Sequence, residues 1–169
     1  MMHLPGLLGK SRTSGFYRWW LNAVLPWVVP FNRPHGFRVV PLPDGGMSVR
    51  VPYWRINRNH VNGIHACALA TAAEMCSGLS VLEHVDPKQY RLIMRTMHME
   101  YRFQAKRTTT ALCRKDQAML VHEALGALLA GTSVDHTSTV ELHDDVGNHI
   151  ATGTITWQVK PWSSVRTAR

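Results

Sequence analysis

The sequence predicts an α+β domain in which an antiparallel sheet surrounds one buried helix. Residues 65–79 are apolar on nearly every side and poor in bulky side chains, as a helix inside a core is. Residues 93–106 and 150–160 alternate apolar and polar side chains, the period of strands that bury one face. Such strands need a cover for the apolar face, and the small-residue helix can provide it.

The element at the N-terminus is predicted to be a helix. It begins after Ser14 and ends near Pro26 or Pro30. Its bulky apolar residues at helical spacing are Phe16, Trp19, Trp20 and Val24. The apolar run WWLNAVLPWVVPF is shorter than the roughly 20 residues that span a bilayer. We therefore expect this helix to cover the core, with peripheral membrane contact through Trp19, Trp20 and Trp27 as the alternative.

Two short strands, at residues 37–42 and 47–54, follow this helix and are joined by the turn sequence PDGG. An Asn-rich loop at residues 57–64 then leads into the buried helix. The remaining predicted elements are strands at 93–106 and 108–114, a helix at 116–130, and strands at 134–143 and 150–160. We expect a helical extension over residues 1–36, one domain over 37–160 and a flexible tail over 161–169.

The charge is strongly basic and unevenly distributed. The 169 residues contain 19 Lys and Arg against 11 Asp and Glu, a net charge of +8. Residues 1–60 contribute +7 and residues 61–115 contribute +4, whereas the rest contributes −3. Such a surface can attract a phosphate, a nucleotide or an acidic lipid surface, unless it is simply a solvated basic face. Nucleic-acid binding is not expected, because no helix-turn-helix, zinc spacing or aromatic-basic platform is present.

Cysteine usage and the first residues favour a cytoplasmic protein. Cys67, Cys76 and Cys113 have neither paired nor metal-type spacing. Two of them fall in the predicted buried helix, which predicts buried thiols in a reducing compartment. No sustained apolar run follows the first residues, so no signal peptide is expected.

The segment RNRNHVNGIHACALATAAEMCSGLS carries the motif that indicates a function. Asn59 is followed six positions later by His65, and Glu74 stands nine positions further, within the predicted helix. This pattern resembles that of the hot-dog-fold acyl-CoA thioesterases of the phenylacetyl-CoA and 4-hydroxybenzoyl-CoA type. The resemblance covers residues 37–160 and extends to the closing sequence DDVGNHIATGTITWQVKP.

The resemblance implies a hot-dog fold, an antiparallel sheet wrapped around a central helix, here with an extra N-terminal helix and an inserted helix. Ala66 stands where these enzymes usually have Gly, and the helix at 116–130 interrupts the strand series. Both features are typical of a divergent branch of the superfamily.

The resemblance also implies roles in hydrolysis of an acyl or aryl-acyl thioester. Glu74 would be the general base or the nucleophile, and apolar surroundings would raise its pKa. Asn59 would orient the thioester or the attacking water, and His65 would fix the loop. The backbone N–H of Ala66, at the start of the helix, would bind the developing oxyanion.

The spacing of the motif implies more than one subunit. At 3.6 residues per turn, nine residues place His65 and Glu74 about 180° apart, so they cannot meet on one helix. In the resembling family the acid of one subunit faces the loop of its partner, and we expect a homodimer or tetramer. Acyl-CoA is the expected substrate, with coenzyme A as part of it and no separate cofactor. The cations expected at its phosphates are Arg55, Arg58, Arg102, Lys106 and Arg107.

Several alternatives remain open. The protein can be a non-catalytic acyl-CoA or fatty-acid binding protein on the same scaffold, with Ala66 marking lost turnover. Glu74 can be a contact at a dimer seam, His65 a packing residue and Asn59 a turn residue. The cations can be solvated charges that protect a sheet edge. In the enzyme, we expect the methionines of residues 93–106 and the buried helix to line the acyl pocket.

Three other chemistries are disfavoured. A hydratase or dehydratase would need an Asp/His pair on a longer loop, which the sequence lacks. Cys67 is a poor nucleophile for activation by His65, since the two lie at nearly adjacent positions whose side chains point apart. A metal site from His60, His65 and Glu74 lacks the i, i+4 spacing of helical ligands.

Overall fold

The computed structural model of the protein describes residues 4–43, 45–114, 128 and 132–165. Within these residues, six antiparallel strands form one sheet in the order β1-β2-β4-β5-β6-β3. The strands are β1 (Arg38–Pro41), β2 (Met47–Val51), β3 (Tyr90–Tyr101), β4 (Thr109–Cys113), β5 (Val134–Asp144) and β6 (His149–Pro161). The helices are α1 (Leu4–Thr13), α2 (Gly15–Val28) and α3 (Ala66–Leu82), with short 3₁₀ helices at Pro30–His35, Arg55–Asn57 and Trp162–Ser164. The antiparallel sheet with helices agrees with the predicted α+β class.

Helix α3 is buried against the sheet, as the sequence predicts, and contacts strands β2 to β6. Its small residues allow this close approach. A Cβ added at Gly78 would lie 3.0 Å from the ring of Trp157, and one added at Gly153 would lie 3.4 Å from the Cβ of Ala73. The indole N–H of Trp157 donates to Ser77 Oγ at 3.0 Å. Larger side chains at these contacts would push the helix off the sheet.

Strand β3 lies at the edge of the described sheet and pairs with β6. None of its 12 residues is buried. The predicted strand at 93–106 is shifted, because β3 begins at Tyr90 and ends at Tyr101. After Tyr101 the chain turns to the loop before α3, where the carbonyl of Ala105 accepts from the N–H of Ile64 at 2.7 Å. The last part of the alternating pattern thus packs on a loop rather than on a neighbouring strand.

The N-terminal segment forms two helices, α1 and α2, where the sequence predicts one. Helix α1 is held to the core by the buried side chains of Leu7 and Leu8. The Arg12 guanidinium pairs with both carboxylate oxygens of Glu83, which follows the end of α3. Helix α2 continues through Pro26. Among the described residues, every helix falls short of the length or the apolar character needed to cross a bilayer.

Helix α2 packs on the core with a different side from the one that carries its large aromatic residues. Its buried residues are Leu21 and Leu25. The rotation is set by Asn22, whose side chain donates to the carbonyl of Val39 at 2.8 Å and accepts from its N–H at 2.7 Å. These bonds satisfy backbone groups of edge strand β1. The helix therefore covers the core, as expected, but not through its large aromatic residues; the exposed side chains are Phe16, Trp19, Trp20 and Trp27.

The predicted helix at 116–130 lies outside the described residues, except for Leu128, which is helical and buried. The chain after β6 forms a 3₁₀ helix, in which the indole N–H of Trp162 donates to the carbonyl of Pro87 at 3.0 Å. The boundaries of the extension, the domain and the tail stay predictions.

Candidate active site

The loop before α3 is fixed by a buried asparagine, Asn57. Its side-chain N–H groups donate to the carbonyls of His35 and Pro52, each at 2.9 Å, and its Oδ1 lies 2.8 Å from His35 Nδ1. Its backbone carbonyl accepts from the N–H of His65 at 2.7 Å. Because a buried amide is costly unless its groups are paired, this network determines where α3 begins. The sequence pattern does not distinguish Asn57 from the other asparagines of this loop.

Asn59 closes the turn at the tip of the loop. Its Oδ1 accepts from the N–H of Val61 at 3.1 Å and from the N–H of Gly63 at 2.9 Å. Its Nδ2 has no acceptor among the described residues. Asn59 therefore makes the turn that the sequence allowed as an alternative, and it also retains one donor for a ligand.

His65 is the N-cap residue of α3, and its side chain is exposed. Its Nδ1 accepts from the backbone N–H of Cys67 at 3.1 Å. An N-cap acceptor satisfies one of the free donors of the first helical turn. His65 thus fixes the helix start, and its contact with Cys67 runs through the backbone rather than the thiol.

The backbone N–H of Ala66, the first residue of α3, is free: no acceptor in the described part of the chain takes it. The carbonyl of Ala66 accepts from the hydroxyl of Tyr101 at 3.0 Å. Free N–H groups at a helix start carry the positive end of the helix dipole. This amide therefore keeps its donor, which is what an oxyanion site needs.

A groove of about 420 Å³, the Asn59 groove, contains both Asn59 and Ala66. Its apolar walls include Ile64, Leu69 and Phe103. The groove therefore combines two hydrogen-bond donors with an apolar surface, a common composition of small-molecule sites.

Glu74 lies in a different space, a cavity of about 600 Å³ that we call the Glu74 cavity. Apolar walls come from α2, α3, the start of β3 and the 3₁₀ helix after β6. Burial raises the pKa of the Glu74 carboxyl above its usual value. No ion pair or hydrogen bond to this carboxylate is formed within the described residues. The walls are mostly apolar, although Arg91 also lines the cavity. A partly buried carboxylate without a partner is a stronger base than an exposed one.

The three motif residues line three different spaces in one protomer. Asn59 lines its groove, Glu74 lines its cavity, and His65 lines a smaller pocket of about 130 Å³ beside Phe31 and Arg58. This separation agrees with the opposite helix faces that the nine-residue spacing predicts. One protomer alone does not bring Glu74 to the loop residues.

The five predicted phosphate-binding cations do not form one cluster. Arg102 lines the Asn59 groove and pairs with Glu100 at 2.7 Å. Lys106 and Arg107 line an adjoining pocket that shares Phe103 with this groove. The other two lie apart: Arg58 is in the His65 pocket, stacked 5.2 Å from the Tyr53 ring, and Arg55 is exposed on a 3₁₀ helix.

The buried helix lines the Glu74 cavity, whereas the methionines of residues 93–106 do not; their expected place in an acyl pocket stays a prediction. The methionine in the Glu74 cavity is Met75 of α3, and the methionines of β3 lie elsewhere. The walls that the sequence did not predict come from the N-terminal segment and the chain end: Leu25, Val29, Phe31, Asn32 and Trp162. In the sequence, only the apolar run WWLNAVLPWVVPF indicates that this segment packs against other residues. The run does not show which of its side chains line a cavity.

The cysteines and possible metal ligands give no second site. Cys76 and Cys113 are buried, and burial raises the pKa of both thiols. Cys67 is exposed, which corrects the prediction that both helix cysteines are buried. Among residues 4–43, 45–114, 128 and 132–165, no group of three or more His, Cys, Asp or Glu is arranged to hold a metal ion.

Several solved structures share this fold. A Pseudomonas aeruginosa protein of unknown function, named a probable thioesterase, is 22% identical with a TM-score of 0.72, covering 85% of this chain and 95% of that chain. A mutant thioesterase from the same organism is 18% identical with a TM-score of 0.66, covering 89% and 99%.

A thioesterase enzyme from Staphylococcus aureus is 14% identical with a TM-score of 0.62, covering 78% of this chain and 99% of that chain. This structure has a Gln replaced by Ala, and another structure of the same protein has a Glu replaced by Ala fifteen positions later. These likenesses show the fold.

No curated protein matches the chain. A family model does match, over residues 18–159, which is most of the sequence. The chain therefore belongs to the family described as Domain of unknown function (DUF4442).

Proposed function

We propose that the protein is a hot-dog-fold acyl-CoA thioesterase that hydrolyses the thioester of an acyl or aryl-acyl group. The observation that carries the proposal is the unpaired carboxylate of Glu74 on a buried helix, inside an apolar cavity, on the helix whose first N–H is free. In the hot-dog arrangement the sheet wraps around α3. The fold likeness to proteins named thioesterases supports this assignment.

The residues divide the reaction between them. Glu74 removes a proton from water as the hydroxyl oxygen attacks the thioester carbonyl carbon, or it attacks that carbon itself. The N–H of Ala66 and the Nδ2 of Asn59 donate to the carbonyl oxygen as it becomes negative. In the water route, the C–S bond breaks and the proton taken from water passes to the sulfur, which gives a carboxylic acid and a thiol. In the direct route, attack by Glu74 forms a mixed anhydride and releases the thiolate, which takes a proton from solvent; water then hydrolyses the anhydride to release the carboxylic acid and restore Glu74. The residues replaced in the two S. aureus structures have the spacing of Asn59 and Glu74, which supports these roles.

The proposal includes a homodimer formed through the β3 edge. The first residues of β3, Tyr90 to Leu92, line the Glu74 cavity, and its last residue, Tyr101, lines the Asn59 groove. If two copies of this unburied strand pair antiparallel, the start of one strand lies beside the end of the other. The Glu74 cavity of one protomer then adjoins the Asn59 groove of its partner. Further pairing of dimers into a tetramer is compatible with this arrangement.

Coenzyme A is the proposed leaving group, and Arg102, Lys106 and Arg107 are the proposed contacts of its phosphates. These cations line the Asn59 groove and the pocket beside it. Arg58 and Arg55 line neither of these two pockets, so fewer observations support the same role for them. We also propose a cytoplasmic location, which the three free cysteines support.

Turnover of a panel of acyl-CoAs, followed with a free-thiol reagent, tests the activity. We expect Glu74→Gln to lower kcat by about a thousandfold or more with little change in substrate affinity. Glu141→Gln is the matched control, because Glu141 is a carboxylate on β5 outside the cavities described above. Wild-type activity in Glu74→Gln would exclude the proposed role of this carboxylate.

Mixing two inactive variants tests the shared site. In a mixture of Asn59→Ala and Glu74→Gln protomers, half of the dimers contain one of each, and each mixed dimer rebuilds one of its two sites. We therefore expect about a quarter of wild-type activity after subunit exchange. No recovery, in a mixture shown to exchange subunits, would mean that Asn59 and Glu74 act within one chain.

A non-catalytic acyl-CoA or fatty-acid binding protein is the second candidate. It is favoured because backbone N–H groups of the same chain already donate to both atoms: Gly63 of the loop to the Asn59 oxygen, and Cys67 of α3 to His65 Nδ1. Saturable binding of acyl-CoA by the wild type without thiol release would support this function over hydrolysis.

A further inference from the structure

One side of α2 presents an aromatic face to solvent. We define this aromatic face as Phe16, Trp19, Trp20 and Trp27 together with Phe31 of the following 3₁₀ helix. Trp19 is 64% exposed, Trp27 68% and Phe31 70%. The four helical residues stand at i, i+3, i+4 and i+11, which is one side of an α-helix. Contiguous exposed patches of large apolar side chains often bind a partner or a membrane.

The aromatic face is not the side of α2 that packs on the core. The opposite side of α2 is already packed through Leu21 and Leu25, and Asn22 fixes it to β1 with two hydrogen bonds to Val39. The helix is therefore apolar on two sides, and one of them packs inward. The outward side needs a different explanation.

Cations lie at both ends of the aromatic face. The Nζ of Lys10 lies 5.3 Å from the ring centroid of Tyr17, and the guanidinium of Arg33 lies 4.1 Å from that of Trp27. Residues 1–43 contain five Lys and Arg and no Asp or Glu. Trp, Phe and long cationic side chains on one surface are the composition of helices that lie in a membrane interface.

We propose that the aromatic face docks on an anionic lipid bilayer, with the Trp and Phe rings in the headgroup region and Lys10 and Arg33 at the lipid phosphates. Charge complementarity favours this occupant over a second copy of the chain. Two copies joined through this face would bring two basic surfaces together, which costs association energy. An anionic bilayer offers the opposite charge and an apolar layer for the rings.

Docking would place the mouth of the Glu74 cavity at the membrane. Leu25, Val29 and Phe31 line that cavity and belong to the segment that carries the aromatic face. A long acyl chain could then pass from the lipid phase to Glu74 without crossing water. This consequence rests on the proposed thioesterase function, whereas the docking itself does not.

Co-sedimentation of the full chain with vesicles tests the docking. Vesicles of phosphatidylcholine alone are compared with vesicles that contain one third phosphatidylglycerol, at low and at high salt. We expect binding to the anionic vesicles that weakens as salt rises. The double variant Trp19→Ser with Trp27→Ser should lower the partition coefficient at least about tenfold, since each buried ring contributes strongly to binding.

Trp54→Ser is the matched control, because Trp54 is 52% exposed but lies over Gly36 and is not part of the aromatic face. Thermal melting of each variant checks that it is folded. The docking proposal is overturned if the wild type stays in the supernatant with anionic vesicles at low salt, or if the double variant binds them equally. It is also overturned if light scattering shows that the aromatic face joins two copies and no vesicles are bound. Glu74→Gln should bind vesicles like the wild type, so a failure of the thioesterase proposal is seen separately.

Discussion

Helices α2 and α3 are both apolar around most of their circumference, yet they have different environments. Each contains one charged residue, Arg18 in α2 and Glu74 in α3. Helix α3 is built from small residues, and five strands approach it closely. Helix α2 carries large rings, packs through two leucines, and leaves its other side in solvent.

The difference teaches that side-chain size, as well as hydrophobicity, decides how far a helix is buried. Ala, Gly, Ser and Cys allow the sheet to approach α3 closely because their side chains leave room for it. The rings of α2 lie on the side away from Leu21 and Leu25, and that side is exposed. An apolar helix of large residues at the surface therefore indicates a contact outside the domain, whereas one of small residues indicates the core.

The two sides of α2 should differ most in their effect on stability. Leu21 is fully buried, so Leu21→Ala should lower the free energy of unfolding by about 2–5 kcal/mol. Trp19→Ser should change it by less than about 0.5 kcal/mol, because the ring is exposed. Urea denaturation of both variants measures the difference. A large loss in Trp19→Ser would mean that the ring packs inside the protein and would remove the contrast with α3.

The size limit on α3 should be visible at Gly78. Gly78→Val should lower the free energy of unfolding by about 1–3 kcal/mol, because even a Cβ there lies 3.0 Å from the Trp157 ring. Gly9→Val is the matched control: Gly9 is also in a helix, but a Cβ there would meet nothing within 4 Å. Its stability should change by less than about 0.5 kcal/mol. Equal effects in the two variants would show that helix propensity, and not packing, limits residue size.

The parts of the fold that could be predicted are those decided by local pattern. The alternating side chains of β5 and β6 indicate strands, and the continuous apolar run of α3 indicates a buried helix. The structure contains all three elements. The rotation of α2 could not be predicted, since it depends on Asn22 meeting Val39 of a strand 17 positions away. The end of β3 depends similarly on Ala105 meeting Ile64.

The candidate site divides in the same way. The spacing of Asn59, His65 and Glu74 could be read from the sequence, because a motif is a property of local order. The support of the loop by Asn57 could not, because it depends on His35 of a distant segment. The cavity walls from α2 could not be predicted either, because they depend on which side of this helix packs on the core.

The charge of Glu74 should cost stability because its half-buried carboxylate lines a cavity and forms no ion pair or hydrogen bond within the described residues. Burial raises its pKa in the folded state, so the folded protein holds the proton more tightly than the unfolded chain does. The stabilising contribution of the protonated carboxyl is complete below the unfolded pKa and is lost as the pH rises through the folded pKa. Glu74→Gln should therefore melt about 1–3 °C above the wild type at pH 8 and close to it at pH 4.

The same shift predicts the pH dependence of the reaction. The base form of Glu74 is lost as the pH falls through its raised pKa, so kcat should begin to fall at a higher pH than for an ordinary glutamate. Melting curves of both proteins and a pH profile of kcat for the wild type measure the two effects. If Glu74→Gln melts below the wild type at pH 8, the carboxylate has a stabilising partner. The charge of Glu74 then does not destabilise the folded protein.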